Sequence, residues 1–532
     1  MTATSYDAIV IGAGTNGLVA AAVLGKAGRR VLIVERGEQT GGQSRAIEFA
    51  PGFSAPLSPD AGWLSPAVAR GIGIAAPPAT ESAISVAVAR DGGFFGVPSD
   101  PTRGSEVIRK YSTRDAERWA PFVARLNTLA GFLGELYQLP APDIDTTSLT
   151  DLMSMLGLGR KFRALGRADM TELLRVLPMS IQDLLDDEFE SDSLKAAIGA
   201  GGIRDIRQGP RSGGTTFVLL HHLVGARVGS VRMRPWWRDG PHALIDAAET
   251  VARRNGAVIR TSARVTKIVV KDDAVAGVVL ADGEEISAPL VISTADPTQT
   301  LGALIDPVWL DPELLLAIRN IKYRGCTALA FYALEALPNT SVELGTDELS
   351  SVVSLTTNLG MLERAYDAAK YRGVSAEPHV EISVPTLRWP SLAPNGKHVL
   401  AARVQYVPYD ISDGGWNDAR SSELADSVTR IIAGALPGFE PLIRHGTLLT
   451  PVDLEAWFGV TNGALTHGEL TLDQILFMRP IAGFGRHAMP IDGLYLGGRG
   501  AHPGPALLGG AGLLAARAAT ARGAKRSQRV SR

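Results

Sequence analysis

Asp7-Ala-Ile-Val-Ile-Gly-Ala-Gly-Thr-Asn-Gly17, running into the Ala-rich segment Leu18 to Ala27, is the stretch on which the fold turns. Its first five residues form the short apolar run of a strand buried on both faces. The glycines at 12, 14 and 17 follow without a spacer, and the Ala-rich segment has helical composition. Gly28, free to adopt positive φ, closes that helix, and Val31-Leu-Ile-Val-Glu35 reads as a second strand. One strand–turn–helix–strand unit with short connections results, the context in which a glycine triplet binds a dinucleotide. Gly12 permits the tight turn, Gly14 lets backbone amides approach a pyrophosphate, and Gly17 allows the helix to sit close to the strand. The helix begins near Asn16 with its positive end toward the phosphates, flanked by Thr15. Glu35, at the end of the second strand, is placed to accept both ribose hydroxyl hydrogens. Its charge disfavours a 2′-phosphate and hence NADP.

Outward from this unit the pattern changes twice. From about residue 102 to 200 the periodicity is mostly helical, with long segments at 115–139 and 149–177 separated by Pro140 and Pro142. Around Pro241 it reverts: a helix over 242–255 ends at Gly256, and strands follow over 258–270, 274–280 and 289–295. Residues 301–475 are mixed and richer in strands, near 327–332, 379–384 and 399–407. The chain closes with a strand over 493–497 and a helix over 509–519. The expected division assigns 1–100, 236–300 and 476–520 to the nucleotide-binding domain. A second domain is expected from helical residues 101–235 and mixed residues 301–475, and residues 521–532 read as a basic, disordered tail. Two domains suit 532 residues.

Three features separate FAD from NAD. Gly41-Gly42 follows the second strand closely, where FAD proteins pass a glycine pair under the pyrophosphate; Arg36, Gln43 and Ser44 flank it. The strand ending Ser293-Thr-Ala-Asp-Pro297 returns to the nucleotide fold through Thr294 and Ala295, and Val265 is placed to offer backbone to the adenine. Gly497-Gly-Arg-Gly-Ala-His-Pro-Gly504 lies between the last strand and the last helix. Gly498, Arg499, Pro503 and, further on, Leu508 are thereby expected at the flavin, with a helix N-terminus to stabilise the charge it gains on reduction. On these stretches, with His467-Gly-Glu-Leu-Thr-Leu-Asp-Gln474 and Phe477-Met-Arg-Pro480, the chain resembles the phytoene desaturase-related flavoproteins. Within them it resembles the group named pyridine nucleotide-disulfide oxidoreductase domain-containing protein 2. The resemblance implies an α/β fold: a glutathione-reductase-like, Rossmann-type domain binding FAD non-covalently, built from discontinuous segments, plus an α+β substrate domain. It also implies a lipophilic, isoprenoid-like or polyene substrate, and it leaves peripheral membrane contact open. A single cysteine, Cys326, excludes the disulfide chemistry of the group's name. Departures from the family pattern are Gln43-Ser44 where many relatives have Arg, Arg238-Asp-Gly-Pro241 before a helix, and Pro505-Ala-Leu after Gly504. They put the loop around the flavin ring, and so the reaction, in question.

Flavin dehydrogenation needs little beyond a C–H held near flavin N5 in a dry site. The catalytic candidates are His502, beside the flavin return, and Arg479, before Pro480. Each has an equal structural reading, His502 as a helix cap or phosphate contact and Arg479 in an ion pair. His221-His222 is not read as a metal site, because adjacent side chains diverge. Trp236-Trp237 and Trp457-Phe458 are read as core before tunnel wall. The net charge of −2 gives no reason to expect nucleic acid as a partner, and no apolar run spans a bilayer. The first strand starts too early for a targeting peptide, so a cytoplasmic setting is expected, with peripheral membrane contact left open. The leading expectation is an FAD-dependent dehydrogenase or desaturase acting on an apolar small molecule. The alternatives are a flavin amine oxidase, an isomerase or hydratase without net redox, and a non-catalytic FAD-stabilised partner protein.

Overall fold

A computed structural model gives the fold for residues 5–60, 62–90, 93–142, 149–339, 344–412 and 414–530. The apolar runs Ala8–Ile11 and Val31–Val34, buried throughout, pair in parallel with Val10 opposite Ile33. Around them a five-stranded, all-parallel sheet assembles in the order Leu494–Leu496, Val291–Ser293, Ala8–Ile11, Val31–Val34, Val258–Arg260. Its strands come from parts of the chain nearly 500 residues apart. The helix Thr15–Lys26 packs on this sheet and is flanked by Ala243–Arg254 and by the closing helix, Gly510–Val530. Leu18, Val19 and Leu24 are each at most 1% exposed, so each contributes about 1.5–3 kcal/mol of burial.

The segment expected as one strand over 258–270 is two. Val258–Arg260 belongs to the parallel sheet, and Val265–Lys271 begins a three-stranded antiparallel sheet with Ala274–Leu280 and Glu285–Ser287. Ser262, at φ +50°, makes the turn between them, and the amides of Ser262 and Ala263 donate to the carbonyls of Gly37 and Glu35. Likewise the helix expected over 149–177 breaks into Leu149–Ala164 and Gly166–Val176, with Gly166 at φ +82° between them. The closing helix continues through the basic stretch to Val530, where a disordered end was expected; residues 531 and 532 lie outside the described residues.

A seven-stranded sheet forms the second layer, ordered Ile443–Leu449, Thr327–Leu334, His398–Gln405, His379–Ser383, Val353–Ser354, Ile84–Arg90, Gly93–Pro98. It is antiparallel except where Val353–Ser354 meets Ile84–Arg90. The hairpin Ile84–Pro98 lies in the stretch expected to bind nucleotide, yet it pairs into this other sheet. Helices from Pro101 to Leu223 cover one side, joined to the rest through a core that includes Trp119, Phe122 and Phe189. No helix among the described residues is long and apolar enough to cross a membrane.

Candidate functional site

Gly12 stands at φ +95°, and its amide donates to the Val34 carbonyl at 2.8 Å. A Cβ on Gly12 would meet Thr294 Oγ1 at 2.4 Å, and one on Gly17 would meet the Gly12 carbonyl oxygen at 1.9 Å. The turn is therefore as tight as backbone allows. Glu35 fastens it: Oε2 accepts from the Ala13 amide at 2.7 Å and Oε1 from Gly37 at 2.8 Å, leaving a lone pair on each oxygen. The second glycine loop closes over the first. Gly41, at φ +113°, donates its amide to the Ala13 carbonyl at 2.9 Å, and Thr15 Oγ1 donates to Ser44 Oγ at 3.0 Å.

The carboxyl-terminal return reaches the same place. Gly498 lies so close to Thr294 that a Cβ would sit 2.3 Å from its carbonyl oxygen, and Gly512 approaches the Asn16 carbonyl equally closely. Asn16 Oδ1 accepts from the Gly512 amide at 3.2 Å. Arg499 Nη1 donates to Gln43 Oε1 at 2.8 Å, and Gln43 Nε2 lies 3.2 Å from His467 Nε2. Burial, with Arg499 and Arg479 nearby, pushes the His467 ring down to about 3, so it is neutral.

These loops enclose a cleft of about 860 Å³. Of the residues expected to bind cofactor, Gly12, Gly14, Thr15, Asn16, Glu35, Arg36, Gly41, Gly42, Gln43, Ser44, Val265, Thr294, Ala295, Arg499 and Leu508 line it. Gly17, Gly498 and Pro503 do not; the first two act one layer behind, by letting backbones meet. Arg36 lines the cleft but donates to the carbonyls of Ala456 and Trp457. A cleft of this size, with amides at a helix N-terminus and a carboxylate at the end of the second strand, fits FAD. Glu35→Ala is expected to weaken FAD binding about 10- to 100-fold, the worth of hydrogen bonds to a charged group. Fluorescence titration of the apoprotein checks this, and an affinity within twofold of the parent would place the ribose elsewhere.

Neither catalytic candidate reaches the cleft. Arg479, 1% exposed, spends its guanidinium on the carbonyls of Arg499, Gln474, Thr466, His467 and Gly468. It ties loops together, and burial pushes it down to about 10. His502, 3% exposed, uses Nε2 to donate to the Leu139 carbonyl at 3.0 Å, and burial pushes it down to about 4. It joins the helical layer to the return, meeting a carbonyl just past the helix Thr113–Tyr137 rather than the closing helix. His221 shares a 2.7 Å hydrogen bond with Tyr137. Among the described residues no three His, Cys, Asp or Glu gather as a metal site.

A smaller chamber of about 100 Å³ adjoins the cleft and shares Thr15, Gln43, Ser44, Arg499, Pro505 and Leu508 with it. Its lining is in part apolar, with Leu57, Trp237, Leu244, Trp389 and Leu465, and in part charged, with Asp60, Arg204, Asp205, Arg234 and Arg403. Trp237 thus faces the chamber, Trp457 and Phe458 face the cleft, and Trp236 packs with Met233 and Trp389. His222 also faces the chamber, held neutral by burial and by the cations beside it. Sequence reasoning missed this charged lining. Its trace was present in Gly202-Ile-Arg-Asp-Ile-Arg207 and Val231-Arg-Met-Arg-Pro235, where charges alternate with apolar residues as they do on a strand or loop with one buried face.

Compared with known proteins, residues 17–521 match the model of the family described as flavin containing amine oxidoreductase. The chain is 31% identical to mouse (Mus musculus) pyridine nucleotide-disulfide oxidoreductase domain-containing protein 2, over 96% of this chain and 92% of that one. It is 24% identical to a phytoene desaturase of Fusarium fujikuroi, over 95% of this chain and 87% of that protein. An oxidoreductase structure from Methanosarcina mazei superposes with a TM-score of 0.60 at 17% identity, covering 97% of this chain and 99% of its own.

Proposed function

The chain belongs to the flavin containing amine oxidoreductase family, and on that premise we propose that it dehydrogenates a lipophilic substrate in the chamber beside the cleft. It is an FAD-dependent oxidoreductase; the substrate is the part inferred. Bound FAD supplies a two-electron acceptor able to take hydride from carbon. The protein's share is to hold the dinucleotide through Glu35 and the turn Gly12–Gly17, and to keep a carbon chain dry against Leu57, Trp237, Trp389 and Leu465. No acid or base is required of His502 or Arg479, which agrees with both being engaged elsewhere.

The observation that carries this reading over amine oxidation is the charge of the chamber. Arg204, Arg234, Arg403 and Arg499 line it against Asp60 and Asp205, an environment that repels an ammonium group. The desaturase likeness supports an apolar chain for the remainder. Anaerobic mixing of the FAD-loaded protein with a panel of polyenes, fatty-chain compounds and amines tests it. Bleaching of the flavin is expected with the fatty-chain or polyene members. Bleaching by amines alone would make it an amine oxidase, and turnover with no lasting bleach would make it an isomerase or hydratase.

A further inference from the structure

Resting on the reading just given, we propose that the chamber takes its substrate by an anionic head group, a carboxylate or a phosphate monoester, seated on Arg204 and Arg234. Both guanidiniums are deeply buried, 9% and 6% exposed, in the wall of a cavity. Among the described residues the Nε of each has no hydrogen-bond partner. Arg204 Nη2 donates to Ser58 Oγ at 2.9 Å, and Arg234 Nη1 to the Ala506 carbonyl at 3.0 Å. Their carboxylate, Asp60, stands 3.6 Å from each, beyond hydrogen-bond length.

The neighbouring charges do not make up the deficit. Asp205 is committed to Arg403 and Thr327, and its other oxygen is 3.8 Å from Arg204 Nε. Glu381 is committed to Arg232. Arg388 stacks over Trp236 and Trp389 and donates to the Pro59 carbonyl, next to Asp60 in the chain, with Nε and Nη2 unpartnered among the described residues. Arg204 and Arg234 thus share Asp60, and Arg204 has Asp205 besides only at 3.8 Å. Leaving such charge uncompensated is costly, and a small oxyanion between the two forks would supply what is missing. FAD phosphates are a poorer candidate for this role. Arg499 lines both cleft and chamber, whereas Arg204 and Arg234 line the chamber alone. Because Leu57, Trp237, Leu244, Trp389 and Leu465 line the same chamber, the ligand it fits is an amphiphile that joins an apolar chain to its charged end.

The test uses the full FAD-loaded chain, titrated with octanoate, octyl phosphate, octanol and octylammonium while the flavin absorption spectrum is followed. Octanoate or octyl phosphate is expected to perturb the spectrum saturably and to bind at least about tenfold more tightly than octanol or octylammonium. The tighter of the two anions identifies the head group. Arg204→Gln should weaken that anion at least about tenfold, and Arg204→Lys less. Equal binding of octanol or octylammonium, or an Arg204→Gln protein that binds the anion as the parent does, would overturn the proposal. The head-group ranking needs no variant and stands even where Arg204→Gln does not fold. Protein that takes up no FAD would fail the parent reading; fully flavinated protein indifferent to both anions would fail this inference alone.

Discussion

Gly17→Val should yield a protein that carries little or no FAD. The new Cβ would lie 1.9 Å from the Gly12 carbonyl oxygen and 3.0 Å from its carbon, a collision with backbone that no rotamer relieves. The turn cannot back away. The Gly12 amide is bonded to Val34, and Thr294 Oγ1 donates to the Ile11 carbonyl at 2.8 Å behind it. The helix cannot back away either, since the closing helix meets it where Gly512 touches the Asn16 carbonyl. Overpacking costs about 1–3 kcal/mol where side chains can repack. Here they cannot, so we expect the upper end, about 100-fold or more in FAD affinity. The ratio of flavin to protein absorbance after purification, followed by titration of the apoprotein, measures it. Gly28→Ala is the control: φ is +79°, yet nothing lies within 4 Å of the added Cβ. That protein should lose about 1 kcal/mol of stability or somewhat more and keep its flavin. Stoichiometric FAD in the Gly17→Val protein would refute the account of the turn.

The contrast between those glycines shows what was legible in the sequence. Gly12, Gly14 and Gly17 are meaningful by local spacing, because the turn they make is closed within a dozen residues, and Glu35 follows from the length of the helix. Gly498 stands out by its motif but not by its packing role, and Gly512 looks like any other glycine, since the backbones they admit, Thr294 and Asn16, are far away in sequence. The same limit hid the sheet partners. Nothing local in Ile84–Arg90 says which sheet it joins; the parallel contact with Val353–Ser354 assigns it to the larger one. His502 and Arg479 drew notice as polar residues in motif positions, and both prove to be fasteners of backbone carbonyls. The chamber arginines escaped for the opposite reason. Charged side chains are usually solvated, and nothing local says that Arg204 and Arg234 meet Asp60 from three separate segments.

Asp60 is where that cluster is most vulnerable. Asp60→Asn preserves the shape and an acceptor for the Gly62 amide, which lies 3.0 Å from Oδ1. It removes the one negative charge shared by Arg204, Arg234 and Arg388. Breaking a buried ion pair from one side typically costs about 3–5 kcal/mol, so the thermal midpoint should fall by many degrees. The pH dependence identifies the cause. Burial alone would raise the Asp60 carboxyl, but Arg234 and Arg204 outweigh it and hold the group below its ordinary value. A carboxylate depressed in the folded state contributes its full stability above the unfolded pKa of about 3.9, and loses it as pH falls through the folded value. The gap in thermal midpoint between parent and variant should therefore be constant from neutral pH down to about 5 and narrow only in stronger acid. A gap that widened toward acid, or a variant as stable as the parent at neutral pH, would mean that Asp60 is not the charge holding the arginine wall in place.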